Sequence, residues 1–327
     1  MISQDPYPMR FHPLMKQTIW GGEKLSTLLG KPASGKGNDA ESWEIVDHGD
    51  DQSVVTNGSL AGSTLAELIR QDPAWTLGAS QTEGQFPLLL KFLDCNRVLS
   101  VQVHPDDAYG ATMPVPDRGK TEAWYVVAAQ PESLIYAGLK AGVDRQALGA
   151  AIHAGQTERV LHSFHPQVGD CVFIPAGTVH ALGAGLVIAE IQQSSDTTFR
   201  LFDWNRLGSD GNPRQLHVEQ SLDVTDYESG PVEPIRGDNS QPGWQTLIDC
   251  DKFMLQSMSS GTAAVGGDNC CHILTVPHGA ATIEFAGDQS ELLSQGQSIL
   301  LPAAMDRCEV IPADKSVVLH AAPAANP

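Results

Sequence analysis

Two stretches of this sequence put chemically capable side chains at telling spacings. In SVQVHPDD, residues 100–107, strand alternation places Gln102 and His104 on one face and Val101 and Val103 on the other. An amide and an imidazole sharing a strand face meet either water or something polar lying against them. In GDCVFIPAGTVH, Gly169 is followed by five residues, then Pro175, Ala176 and Gly177, then two residues and His180. Pro175 and Gly177 make a tight turn that returns His180 to a barrel wall. An imidazole held by a rigid turn in a barrel mouth is a good metal ligand. A third feature is Lys91 inside LLLKFL, since a cation in an apolar strand needs a partner or a ligand. No Gly-rich phosphate loop of P-loop or Rossmann type accompanies them.

The elements that must position these residues are mostly strands. The 327 residues include 31 Gly and 21 Pro, which favours many short strands joined by turns. ESWEIVDH (41–48) reads as one of them. FPLLLKFLDCNRVLSVQVHPDD (86–107), broken near Asp94–Arg97, reads as two strands of one sheet buried on both faces. TEAWYVVAA and SLIYAGL add two more. STLAELIRQDP (63–73) is a short helix capped by Ser63, with Leu65, Leu68 and Ile69 on one face and Pro73 at its end. DRQALGAAIHAG (144–155) is a second, capped by Asp144 and closed by Gly155. From residue 169 short strands recur at regular spacing, a rhythm that suits a β-sandwich or jelly roll. GDCVFIPA (169–176) is echoed by GQSILLPA (296–303), with Arg307 where the first copy has His180. The organisation expected is therefore a catalytic domain over 1–229, a Pro/Gly/Asp/Asn-rich linker over 230–243, and a degenerate β-domain over 244–327.

The Gly169–His180 spacing resembles the second motif of the cupin superfamily, small jelly-roll barrels that hold a metal in the mouth. Ala184 stands where that motif has Asn, and Gln102-Val103-His104 stands where the first motif has His-x-His, with Glu122 the next suitable carboxylate. On this resemblance the fold is mainly β, two cupin-like jelly-roll domains with a few short helices. Gln102, His104, Glu122 and His180 become a candidate set for Zn²⁺, which also suits iron or manganese.

A narrower family shares these departures. QTIWGG, FPLLLKFLDCNRVLSVQVHPDD, GKTEAWYVV, GDCVFIPAGTVHALGAGLVIAEIQQSSDTTFRLFDWNR and RQLHVEQSLDV, in this order, resemble type I mannose-6-phosphate isomerases of the short bacterial form over residues 10–225. The resemblance implies that Gln102, His104, Glu122 and His180 bind one zinc ion per chain. It implies that Lys120 and Arg200 are basic residues of the active site, that Asp196 serves ring opening, and that Lys91 and Trp20 line the pocket. The activity implied is an aldose–ketose isomerisation of mannose 6-phosphate and fructose 6-phosphate through an enediolate. A divalent cation and fixed Lys and Arg charges would stabilise its developing oxyanion. Lys120, Asp196 and a metal-bound water stay open as proton carriers, and Lys91, Lys120 and Arg200 as the phosphate clamp. Two other readings are an iron cupin dioxygenase and a non-catalytic cupin that binds sugar phosphate. Gln102 with the Lys and Arg set opposes the first, and the presence of Asp196 and Arg200 opposes the second.

Composition narrows the partners. A net charge of −19 repels polyanions, so no nucleic acid is expected, while local cations can still hold a small sugar phosphate. No apolar run reaches the ~18 residues of a membrane helix, and the start lacks a signal-peptide core. Six cysteines without CxxC spacing read as reduced thiols. The expectation is a cytoplasmic protein with no membrane partner, and no pattern sets its oligomeric state. Glu41 and Glu44, three apart in ESWEI, cannot both face one pocket and are not assigned to the site. His217 reads as structural.

Overall fold

Alternating or wholly apolar segments between Gly-rich turns form strands along the chain, and the computed structural model describes residues 1–79, 84–208, 211–238, 240–287 and 289–324. In chain order the strands are β1 (Leu14–Gly22), β2 (Asp39–Ile45), the hairpin β3 (Asp47–His48) and β4 (Asp51–Gln52), β5 (Leu88–Cys95), β6 (Val101–Val103), β7 (Glu122–Ala128), β8 (Ile135–Leu139), β9 (Leu161–Phe164), β10 (Cys171–Ile174), β11 (His180–Leu182), β12 (Leu186–Gln193) and β13 (Phe199–Phe202). The second half adds β14 (Gln245–Asp249), β15 (Phe253–Met258), β16 (Ala263–Val265), β17 (His272–His278), β18 (Ala280–Phe285), β19 (Gln289–Ser294), β20 (Ser298–Leu301), β21 (Cys308–Pro312) and β22 (Val317–Pro323).

Strands β5 to β12 make a jelly roll. One sheet runs β5-β12-β7-β10, extended by β2 and β1, and the other runs β6-β11-β8-β9, extended by β13. Strands β15 to β22 repeat it strand for strand, as β15-β22-β17-β20, extended by β14, over β16-β21-β18-β19. The mainly β fold of two cupin-like jelly rolls with a few short helices is thus the fold of this chain. No helix among the described residues is long and apolar enough to cross a membrane.

The rolls stand back to back. On β5, Leu90 and Phe92 point outward and share a core with Ala189 and Ile191 of β12 and with Leu255, Ile273 and Leu319 of the second roll. Leu93 and Cys95 point inward and pack with Trp20, Trp124 and Ile188. The β5 sheet therefore has a layer on each face, which is why LLLKFL shows no alternation. The expectation that residues 86–107 form two strands of one sheet is corrected: β5 and β6 lie in facing sheets, because the chain crosses the roll between them.

Local signals fare similarly. The helix Leu65–Gln71 is capped by Thr64 rather than Ser63, because Glu67 three residues on closes a capping box with Thr64. The helix Arg145–His153 is capped by Asp144, as the sequence suggests. The stretch read as a linker is not loose along its length. Ile235 exchanges backbone hydrogen bonds of 2.7 and 2.8 Å with Cys171, and Arg236 pairs with Asp170.

The echo of GDCVFIPA in GQSILLPA falls on β10 and β20, which hold equivalent places. Glu122 lies opposite Ile174 of β10, and His272 lies opposite Leu301 of β20. Glu190 lies opposite Lys91 and Trp124, and His320 lies opposite Gln256 and Leu274. Where the first roll has Glu122, Glu190 and Lys91, the second therefore has His272, His320 and Gln256. These form a hydrogen-bonded chain with Asp268: Asp268 to His272 at 2.9 Å, His272 to His320 at 2.9 Å, and His320 to Gln256 at 3.1 Å.

Burial, with His272 alongside, lowers the His320 pKa from 6.5 to about 3. Unfolding exposes a ring that takes a proton below its ordinary pKa. Its contribution to stability is complete above about pH 6.5 and is lost progressively as pH falls toward 3. Replacing His320 by Gln should flatten the pH dependence of urea unfolding between pH 7 and 5 by up to ~1.4 kcal/mol per pH unit. An unchanged slope would contradict this account.

Candidate active site and metal centre

The first roll gathers its polar side chains between the sheets. Gln102 on β6 lies opposite His180 on β11 and Arg200 on β13, so three strands bring these side chains to one face. His104 follows just beyond β6, and Glu122 opens β7 on the facing sheet. The turn before His180 needs Gly177. Its φ is +87°, and an added Cβ would lie 3.1 Å from both Asp226 Cβ and Val224 O. Its N–H donates to the His104 carbonyl at 2.8 Å, which ties the two histidine segments together.

His104, Glu122 and His180 are each 1% exposed, and their ligand atoms lie within 4.8 Å of one another. Glu122 carboxylate oxygens stand 3.5 Å from His104 Nε2 and 3.4 Å from His180 Nε2. The Gln102 amide is 3.2 Å from His180 Nε2, and turning the amide over would present its oxygen at the same point. Each ring spends its other nitrogen on a carbonyl: His104 Nδ1 donates to Thr197 O at 3.0 Å and His180 Nδ1 to Thr178 O at 2.9 Å. Both Nε2 lone pairs therefore face the cluster. Burial, then the Lys120 ammonium, pushes the His104 pKa well below its ordinary value, and burial holds His180 down to about 3. Unprotonated rings are what a metal requires. The Lys120 ammonium already sits among these donors, 3.0 Å from His104 Nε2 and 2.5 Å from Glu122. Two neutral imidazoles, a carboxylate and an amide oxygen drawn around a cation fit a divalent ion of the zinc class.

Beside this cluster runs a buried row of alternating charge. Lys91 is 3.1 Å from Glu190 and 3.4 Å from Glu41, and Lys120 is 3.8 Å from Glu190. Trp124 donates to Glu190 at 3.0 Å, and Trp43 to Glu41 at 2.7 Å. Burial alone would lower the Lys91 pKa, yet Glu190 and Glu41 raise it, so the ammonium stays charged. Burial and then Glu122 raise the Glu190 pKa, against Lys91 and Lys120.

The sequence-derived residues separate into four places. Gln102, His104, Glu122, His180, Lys120 and Lys91 come together. Trp20 is buried in the core with Leu93, Cys95 and Trp124. Asp196 is exposed and sits in a cleft of about 710 Å³ with His48, Asp117 and Arg118. Arg200 donates to Ser100 Oγ at 3.3 Å and to Gln215 O at 3.1 Å. Nearby, Arg206 and Arg214 both bind Asp203, and the charges of all three reach Arg200.

Sequence reasoning missed Glu190 and Glu41. Glu190 in GLVIAEIQQ is a charge in an apolar strand, the signal that flagged Lys91. The spacing argument on ESWEI was sound, since Glu41 meets Lys91 while Glu44 turns to Lys31 at 2.6 Å, but it did not say which of the two faces the site.

The chain can be set against known proteins. A model of the phosphomannose isomerase type I catalytic domain matches residues 9–131. Mannose-6-phosphate isomerase ManA of Bacillus subtilis is 33% identical over 96% of this chain and 98% of its own. The mannose-6-phosphate isomerase of Streptococcus mutans is 38% identical over 76% of this chain and 75% of its own. The crystal structure of the Bacillus subtilis mannose 6-phosphate isomerase superposes with a TM-score of 0.86 at 29% identity, covering 96% of this chain and 99% of that one. Similarity of this extent over nearly the full length, on the same two-roll fold, means that the chain belongs to the type I phosphomannose isomerase (mannose-6-phosphate isomerase) family.

Proposed function

We propose that the chain interconverts mannose 6-phosphate and fructose 6-phosphate through an enediolate, with Gln102, His104, Glu122 and His180 holding a divalent ion. The observation that carries this reading is the buried convergence of His104, Glu122 and His180, with Gln102 beside them, next to the row Glu41, Lys91, Glu190, Lys120. Zn²⁺ suits the donor set, and a divalent ion bound there would stabilise charge on the sugar carbonyl oxygen.

Isomerisation moves a proton between C2 and C1, so one group must take it and return it. Lys120 and Glu190 are the buried titratable pair beside the centre, and we assign the transfer to them. The raised pKa of Glu190 brings its carboxyl closer to a group that can hold a proton. Lys91, fixed between Glu41 and Glu190, and Trp20, in the core beside Trp124, shape the pocket. Asp196 at the cleft rim is assigned to ring opening. Arg200, backed by Arg206 and Arg214, is assigned to the phosphate. A cytoplasmic setting is supported by six cysteines that stand as thiols.

The test is a coupled assay of the purified chain with mannose 6-phosphate, untreated, after chelation, and after Zn²⁺ is restored. Activity that disappears and returns supports the reading, while no turnover in any state overturns it. Within this reading, Arg200→Ala should retain its metal and raise KM roughly 10–100-fold, the loss of a charge-assisted hydrogen bond. An unchanged KM would remove Arg200 from the phosphate clamp.

A further inference from the structure

The orientation of His104 depends on one carbonyl, that of Thr197. Thr197 lies between β12 and β13 in irregular backbone, so no sheet ladder fixes that oxygen. Its support comes from a side chain in another loop. Asp117 Oδ2 accepts from Thr197 Oγ1 at 2.7 Å, from Ser195 Oγ at 2.9 Å and from Asp196 N at 3.3 Å. The other oxygen, Oδ1, accepts from Arg118 N at 2.8 Å.

Asp117 also belongs to the segment that leads into Lys120. That segment is pressed against residues 105–107: Gly119 N donates to Asp107 Oδ1 at 2.8 Å and Lys120 N to Pro105 O at 3.0 Å. A Cβ on Gly119 would lie 2.5 Å from Asp107 N, so only glycine allows this approach. One carboxylate thus joins the loop before Lys120 to the loop that carries Asp196 and supplies the carbonyl for His104.

We propose that Asp117 is a positioning residue of this centre: by gathering the donors of residues 195–197 it fixes the Thr197 carbonyl, and through it the His104 ring whose Nε2 faces the metal. This rests on the metal assignment above. Asp117 touches neither the metal donors nor, in this reading, the reacting atoms, so it acts through the residues it holds, and of these Thr197 is the one that touches a metal donor. Outer-shell partners of this kind typically change metal affinity ~10–100-fold.

The test is Zn²⁺ affinity, measured by competition with a chromophoric chelator on the full chain after metal removal. Asp117→Ala removes the whole anchor, and Thr197→Val removes a single hydroxyl while keeping side-chain shape and the carbonyl. Both should weaken Zn²⁺ binding, by ~10–100-fold for Asp117→Ala and less for Thr197→Val, while Thr197→Ser retains wild-type affinity. If Asp117→Ala fails to fold, the Val and Ser pair decides. Wild-type affinity in Thr197→Val, or equal loss in the Val and Ser variants, would overturn the positioning role while leaving the metal site intact. A wild-type chain that binds no Zn²⁺ would instead overturn the metal reading on which the role depends.

Discussion

Replacing His180 by alanine should remove Zn²⁺ and turnover together. The ring is 1% exposed, neutral, and held by Thr178 with Nε2 3.4 Å from Glu122. Its removal leaves His104, Glu122 and the weaker amide of Gln102 as donors. The loss of affinity should exceed the ~10²-fold that an outer-shell partner commands. Metal analysis of the dialysed variant with the coupled assay would check both consequences. Full zinc occupancy in the folded variant would end the ligand assignment.

Lys120→Met should separate chemistry from metal binding. The ammonium touches His104, Glu122 and Glu190, three groups that want positive charge nearby. A bound divalent ion can meet that demand for His104 and Glu122, so Zn²⁺ should still bind. Proton transfer would lose its partner, and kcat should fall by the ~10²–10⁴-fold typical of a lost general acid–base group, with a small change in KM. A kcat within a few-fold of wild type, metal retained, would assign the transfer elsewhere. Together the two variants distinguish a residue that holds the ion from one that uses it.

Much of this site could be read before the fold was known. Gln102 and His104 announce themselves by strand alternation, His180 by its turn, and Lys91 by its apolar surroundings. The ligand set and the role of Lys120 rested on the family resemblance, not on spacing alone. What escaped was cross-strand register. Glu190 matters because β12 places it opposite Lys91 and Trp124, and nothing local to GLVIAEIQQ states that pairing. Asp117 escaped for the same reason, since its donors lie far along the chain. The jelly-roll rhythm was legible, but the assignment of β5 and β6 to one sheet failed because burial on both faces hid where the chain changes layer. Ser63 and Thr64 are both competent caps, and only the position of Glu67 chooses between them.

The back-to-back packing bears on what each roll requires of the other. Here the second roll has His272, His320 and Gln256 at the equivalents of Glu122, Glu190 and Lys91, yet its Leu255, Ile273 and Leu319 complete the core behind β5 and β12. Deleting it would uncover the reverse side of the very strands that carry Lys91 and Glu190. The second roll thus serves as the wall behind the polar strands: whatever fills its interior, its outer face must stay apolar and match the face of β5 and β12.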